Sequence, residues 1–191
     1  MMAAVTSVPG KTRVRVFAAD TGVEIATLDQ HGFFVFSPDG SMVATLGLEG
    51  LSSRLDVLGV PGFQRRLRFD VANARHAGWF GRDLLTAVGD KIVMWDPTTG
   101  KPLREIATPT FSGRAFAVSS RGVVSLSAQD RTVRSFDLAT GTAKRVLRTL
   151  GTLEWLAYSP DGYTLRDTTR SSSCGTRRRR GMLSAPDRRR P

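Results

Sequence analysis

The stretch IVMWDPTTG at Ile92–Gly100 carries the pattern that decides the fold. It is a short apolar strand followed by a turn that contains Asp and ends in Thr-Gly. Two similar stretches are VRVFAADTG at Val14–Gly22 and VRSFDLATG at Val133–Gly141, and a weaker one is SRLDVLGVPG at Ser53–Gly62. Because the four stretches recur about every 40 residues, the chain is built from a repeated supersecondary unit.

The rest of the chain consists mostly of short alternating apolar runs. Gly, Asp, Ser and Pro bound these runs, and no window of 11 residues has a helical period. The pattern predicts an all-β fold in which each repeat is a blade of four antiparallel strands, as in a β-propeller. The predicted full blades are 31–70, 71–110 and 111–150, with partial blades at 11–30 (two strands) and 151–165. About four blade equivalents indicate part of a propeller.

Three motifs within residues 11–165 resemble those of the WD-repeat family, in the style of its bacterial members. They are the Ser-Pro-Asp-Gly turn at 37–40 and again at 159–162, the Trp95-Asp96 dipeptide, and the unit of strand, Asp and Thr-Gly. Propellers of this family usually have seven blades. The resemblance therefore implies a partial propeller whose blades are arranged around a central channel.

The resemblance also implies structural positions within each blade, where family members carry a hydrogen-bonded set of Asp, His, Ser or Thr, and Trp. The residues that match this blade motif are His31, Thr45, Thr86, Asp90, Trp95, Asp96 and Asp130. In the blade 31–70, Glu49 and Leu55 replace the Asp and the Trp, and in the blade 111–150 Phe136 replaces the Trp. No blade has the full set, so we expect apolar packing to hold the blades together.

The net charge of +11 is concentrated in the tail. After Leu165 there are nine Arg and two Asp, so seven of the eleven positive charges lie in a segment without a strand pattern. Residues 166–191 are therefore expected to be a disordered basic tail of low complexity. A second hypothesis is that this tail is out of frame: read one nucleotide earlier, Ser171–Arg177 can encode Val-Val-Val-Val-Trp-Asp-Ala, which predicts a frameshift between Leu165 and Arg170.

The sequence contains no catalytic, metal or cofactor motif. His31 and His76 lack the spacing of metal ligands, and His76 is expected on a loop or strand surface. Cys174 is the single cysteine, which excludes an internal disulfide. The three tryptophans, Trp79, Trp95 and Trp155, lie on apolar strands and are expected in the blade cores. We therefore expect neither an enzyme nor a cofactor.

The expected function is that of a non-catalytic scaffold that binds protein or peptide partners through loops and blade rims. One alternative is a sensor segment of a longer bacterial signalling enzyme, and another is a gene fragment without independent function. Nucleic-acid binding by the tail is disfavoured because no aromatic residue interleaves its arginines. With no apolar run long enough to span a membrane and no secretory leader, a cytoplasmic location is expected.

Overall fold

The computed structural model describes residues 2–8, 11–29, 32–49, 52–109, 115–128, 130–149, 152–170 and 180–183. These residues form eighteen β-strands and no helix. By their contacts they divide into two compact units, Met1–Val88 with Ile92–Glu105, and Gly89–Lys91 with Ile106–Pro191. The all-β prediction is confirmed.

The strands form five sheets in which each strand pairs with the next one along the chain. The first sheet comprises β1 (Met2–Val8), β2 (Lys11–Phe17) and β3 (Glu24–Asp29). The second comprises β4 (Gly32–Phe36), β5 (Met42–Glu49), β6 (Ser52–Gly59) and β7 (Arg65–Ala72), and the third β8 (Ala74–Phe80), β9 (Asp83–Val88), β10 (Lys91–Trp95) and β11 (Pro102–Ala107). The fourth comprises β12 (Phe116–Val118), β13 (Val123–Ser127), β14 (Thr132–Asp137) and β15 (Ala143–Arg148), and the fifth β16 (Thr152–Tyr158), β17 (Leu165–Arg170) and β18 (Arg180–Leu183).

Three of the five sheets have four strands, as the sequence predicted. Their antiparallel pairing follows from the short turns, since two-residue to six-residue connections return the chain beside the strand just completed. β4 and β5, for example, pair Phe36 with Val43 and Phe33 with Leu46.

The first sheet differs from the prediction of two strands, because Met2–Val8 adds a third one. It pairs with β2 from Met2 opposite Phe17 to Val8 opposite Lys11. The Pro9-Gly10 dipeptide, a common turn signal, marks this hairpin in the sequence. The apolar pattern of Met2–Val8 is too weak to predict a strand by itself.

The predicted start of the disordered tail at residue 166 is wrong, because β17 continues to Arg170 and β18 follows at Arg180–Leu183. Backbone pairing with β16 holds β17, from Leu165 opposite Tyr158 to Arg170 opposite Thr152. The backbone hydrogen bonds between strands do not require apolar side chains. This strand can therefore form although its sequence has no alternating apolar pattern. Residues 171–179, which carry the frameshift hypothesis and Cys174, lie outside the described residues.

Apolar side chains pack between consecutive sheets within each unit. In the first unit, one cluster joins the first two sheets through Val14, Val16, Val43 and Leu58. A larger one joins the second and third sheets through residues such as Leu55, Val57 and Trp79. In the second unit, the fourth and fifth sheets pack through a cluster that includes Val133, Leu156 and Leu165. Each sheet thus buries an apolar face against its neighbour, since a single sheet cannot bury one alone.

The turn before the last strand has the same five-residue geometry in each of the first four sheets. Its first residue donates a backbone hydrogen bond forward, and its fifth residue donates one back to the first, as in Gly100 N–H to Asp96 O at 2.8 Å and Gly141 N–H to Asp137 O at 2.8 Å. The fifth position has a positive φ, which favours glycine: 70° at Gly100 and 75° at Gly141.

In the second sheet Phe63 occupies this fifth position with a φ of 53°. Its N–H donates to Gly59 O at 2.7 Å, so Gly59 is the first residue of the turn and Leu58 stands where Trp95 stands in the third sheet. The assignment of Leu55 to the tryptophan position is therefore wrong by three residues. The strand β7 accordingly begins at Arg65, after this turn.

Candidate interaction surface

Two of the residues predicted for the blade motif meet in the third sheet. The indole Nε1–H of Trp95 donates to the hydroxyl of Thr86 over 2.8 Å. Thr86 is fully buried. Asp90 lies in the exposed turn between β9 and β10, where its backbone oxygen accepts from Thr108 N–H at 2.7 Å. Within the part of the chain that the structure describes, the Asp90 carboxylate makes no hydrogen bond to Thr86 or Trp95.

Replacing Thr86 by Val keeps the shape of the side chain and removes the acceptor of the indole N–H. We expect Thr86→Val to destabilise the protein by about 1–2 kcal/mol, because a half-buried donor loses its partner. In a double-mutant cycle with Trp95→Phe, the coupling free energy should be about 1 kcal/mol. Urea unfolding measures both values, and additive effects of the two substitutions would contradict the hydrogen bond.

The aspartates of the motif organise turns. Asp96 accepts from the backbone N–H of Thr98 at 2.8 Å and from the hydroxyls of Thr98 and Thr99. Asp130 accepts from the N–H and hydroxyl of Thr132 and pairs with Arg134 at 2.6 Å. A carboxylate that accepts several hydrogen bonds from one turn stabilises that turn. These local hydrogen bonds explain why an aspartate stands at each of the two positions, without a catalytic pair of carboxylates.

These hydrogen bonds make the turns sensitive to acid. Donation from Thr98 lowers the pKa of Asp96 from 3.8 to about 2, and donation from Ser37 does the same for Asp39. The carboxylates take up protons near pH 4 in the unfolded chain and only near pH 2 in the folded one. Their stabilisation is therefore complete above about pH 4 and is lost as the pH falls towards 2.

We expect the free energy of unfolding to fall between pH 4 and pH 2, and Asp96→Asn to reduce the slope in this interval. Asparagine keeps an acceptor oxygen for Thr98 N–H and has no proton to gain. Urea unfolding at a series of pH values from 2 to 5 measures the slope. An unchanged slope in the variant would show that Asp96 does not contribute to acid sensitivity.

The structure buries His76, although the sequence predicted it at the surface. His76 is 5% exposed, and its ring lies edge-on to Phe33 with 4.8 Å between centroids. Thr45, a predicted motif residue, is buried in the neighbouring sheet at 1% exposure. The other predicted motif histidine, His31, lies outside the described residues.

The tryptophans differ in their surroundings. Trp79 is 6% exposed in the core and donates from Nε1 to the backbone oxygen of Val35 at 3.1 Å. Trp155 is 54% exposed, so its predicted place in a blade core is wrong. The register shifts between Leu153 and Trp155, and this bulge turns the indole away from the face that buries Leu153.

One half-buried ion pair, between a buried carboxylate and an exposed arginine, was missed in the sequence. Arg68 donates two parallel hydrogen bonds to the carboxylate of Asp56, at 2.6 and 2.7 Å, and Asp56 is 4% exposed. The two residues lie opposite each other on β6 and β7. Only a known register could have revealed the pair, because twelve residues separate its members in the sequence.

No group of three or more His, Cys, Asp or Glu that could hold a metal occurs among the residues with a described position. The described ranges also contain no helix with the length and apolarity needed to cross a membrane.

The last strand is the most exposed part of the second, third and fourth sheets, and the described side chains of the last strand of the first sheet are also largely exposed. These terminal strands are β3, β7, β11 and β15, and each has a sheet partner on one side only. Large apolar side chains exposed on them include Ile25 at 43%, Leu103 at 55% and Val146 at 60%. Charged residues alternate with these apolar ones, most densely in the β7 and β15 sequences RRLRFDVA and AKRVLR.

Comparison with known proteins identifies no relative: no protein-family model matches the chain, and no curated protein matches it.

Proposed function

We propose that this chain is a WD-repeat segment that serves as a non-catalytic scaffold for protein or peptide partners. The observation that supports the proposal is the recurrence of one unit, a four-stranded antiparallel sheet that closes with the same five-residue turn. Together with the Trp95-Asp96 dipeptide and the two Ser-Pro-Asp-Gly turns, this unit fits the WD-repeat pattern. In this proposal the sheets are blades of a partial propeller.

The exposed terminal strands support a binding role over a purely structural one. Rigid sheets hold exposed apolar and charged side chains at fixed spacing, which suits recognition of another polypeptide. The turns add hydrogen-bonding groups that are already ordered, such as the carboxylate of Asp137, which accepts from Ala139 N–H and Thr140 N–H. We place this scaffold in the cytoplasm, since its sequence has a single cysteine.

Cross-linking from the folded surface tests the proposed function. The full chain, carrying a photoreactive amino acid at Leu103 or Val146, would be exposed to cell extract, and cross-linked proteins would be identified by mass spectrometry. We expect specific partners that unlabelled chain displaces and that the core variant Trp79→Ala fails to capture. Capture that does not depend on folding, or no displaceable capture at either position, would contradict a scaffold role.

A further inference from the structure

The terminal strand β15 combines an open backbone edge with an excess of positive charge. It ends the order β12-β13-β14-β15, so among the described strands only β14 pairs with it. All its residues except Leu147 are exposed, and its sequence AKRVLR has three cations and no acid. Lys144 pairs with Asp137 at 2.6 Å. Within the described ranges, no carboxylate pairs with Arg145 or Arg148.

The backbone of β15 presents free groups at regular intervals. Thr149 N–H donates to Arg131 O at 2.8 Å, directly after the pair formed by Thr132 and Arg148. In an antiparallel pair the inward-pointing groups alternate along the strand, so Leu147 N–H points towards β14. The N–H and C=O groups of Val146 and Arg148 therefore point outwards, where another strand can pair with them.

The two unpaired cations lie on opposite faces of the sheet. Arg145 and Arg148 are three residues apart, and side chains alternate between faces along a strand. Val146, on the same face as Arg148, adds an apolar side chain that is 60% exposed. A strand added to this edge would lie about 5 Å away, with its side chains beside these residues on both faces.

We propose that the edge of β15 binds an extended acidic peptide segment, which adds to the sheet as a fifth strand. This proposal rests on the scaffold function proposed above and names the chemistry of its partner. Carboxylates of the peptide complement Arg145 and Arg148, while the outward backbone groups supply the affinity that is common to strand addition. The same cations oppose a second copy of β15, because like charges across a strand pair are destabilising.

Fluorescence anisotropy with three labelled ten-residue probes tests the proposal on the full chain. The probes repeat two Thr and two residues of one kind, Glu, Gln or Lys, so that the charged side chains fall on both faces of the added strand. We expect the Glu probe to bind at least tenfold more tightly than the Gln probe at low salt, and the Lys probe not to bind. Added salt should weaken the binding of the Glu probe, since exposed charges are screened.

Two variants separate charge from backbone pairing. Arg145→Glu with Arg148→Glu should weaken the Glu probe at least tenfold. Val146→Pro removes an outward N–H without touching the pairing to β14, a place where sheets tolerate proline, and it should abolish strand addition. The matched control is Arg65→Glu with Arg66→Glu, which reverses the same charges on the terminal strand β7 and should leave binding unchanged.

The proposal would be overturned if the Glu probe did not bind, or if the β7 control variant lost as much affinity for it as the β15 variant. It would also be overturned if Val146→Pro bound the probe fully and had an unchanged unfolding curve. Equal competition by a single-stranded oligonucleotide would also overturn it, by assigning the cations to nucleic acid. If cross-linked partners map to Leu103 and the Glu probe does not bind, the scaffold function stands and only this assignment falls.

Discussion

Gly162→Ala is expected to destabilise the protein by about 2–4 kcal/mol, the sum of left-handed strain, steric overlap and a disturbed hydrogen bond. Gly162 has a φ of 75°, and a Cβ there would lie 2.5 Å from Ser119 Oγ and 2.8 Å from Arg121 Cγ. The serine cannot easily move, because it is 1% exposed and its hydroxyl donates to Gly162 O at 3.0 Å. The methyl group would therefore push apart the turns of the fourth and fifth sheets.

Gly40→Ala is the matched control for this substitution. Gly40 ends the other Ser-Pro-Asp-Gly turn with a φ of 71°, and a Cβ there would meet nothing within 4 Å. Gly40→Ala should therefore lower the free energy of unfolding only by the cost of the left-handed backbone conformation, about 1–2 kcal/mol. Urea unfolding of both variants gives the difference. Equal losses would show that the close approach of the two turns contributes nothing to stability.

Trp79→Ala is expected to cost about 3–5 kcal/mol, the range for removing a large aromatic side chain from a core. The indole packs in the cluster that joins the second and third sheets, where Leu55, Val57 and Leu84 are fully buried. Trp79→Phe should cost less, because it keeps most of the apolar contact and loses the hydrogen bond to Val35 O.

Trp155→Ala serves as the control, with an expected loss below about 1 kcal/mol, since surface substitutions away from special features have small effects. The same unfolding measurement applies to all three variants. A loss at Trp155 as large as the loss at Trp79 would contradict the exposure of the Trp155 indole.

The sheets could be predicted from the sequence because each repeat contains local sequence signals for its strands and turns. Apolar residues alternate with others in Met42–Leu46 and Val123–Ser127, and turn residues bound both segments. This local pattern predicts strands without knowledge of the tertiary structure. The resemblance to WD repeats singled out Thr86 and Trp95, and the structure joins these two side chains by a hydrogen bond. Closure of the sheets into a propeller depends on how repeats are arranged, which local patterns do not encode.

The errors arose where a local rule was broken. Trp155 was misplaced because a bulge after Leu153 changes the face of the strand, and no residue type marks a bulge of this kind. The turn of the second sheet was not recognised in the sequence, because Phe63 stands at the position of positive φ where the other repeats have glycine. Its side chain is 9% exposed and packs with Leu58 and Val43, so burial offsets the backbone strain.

Trp79 and Tyr158 each form a side-chain hydrogen bond to the sheet before their own, but the two bonds require different partners. Trp79 donates to a backbone oxygen, a group that every strand offers. Tyr158 bonds through its hydroxyl to Ser125 at 2.6 Å, and Ser125 bonds in turn to Ser135 at 2.7 Å. By strand register, Ala44 in the second sheet and Leu85 in the third stand where Ser125 stands. The fifth sheet is thus matched to the fourth by a side-chain hydrogen bond, whereas the hydrogen bond of Trp79 does not depend on the identity of Val35. If these repeats arose by duplication, the fourth and fifth sheets can no longer be exchanged for other repeats without loss of a hydrogen bond. The order of these two sheets then depends on a single hydroxyl, that of Tyr158.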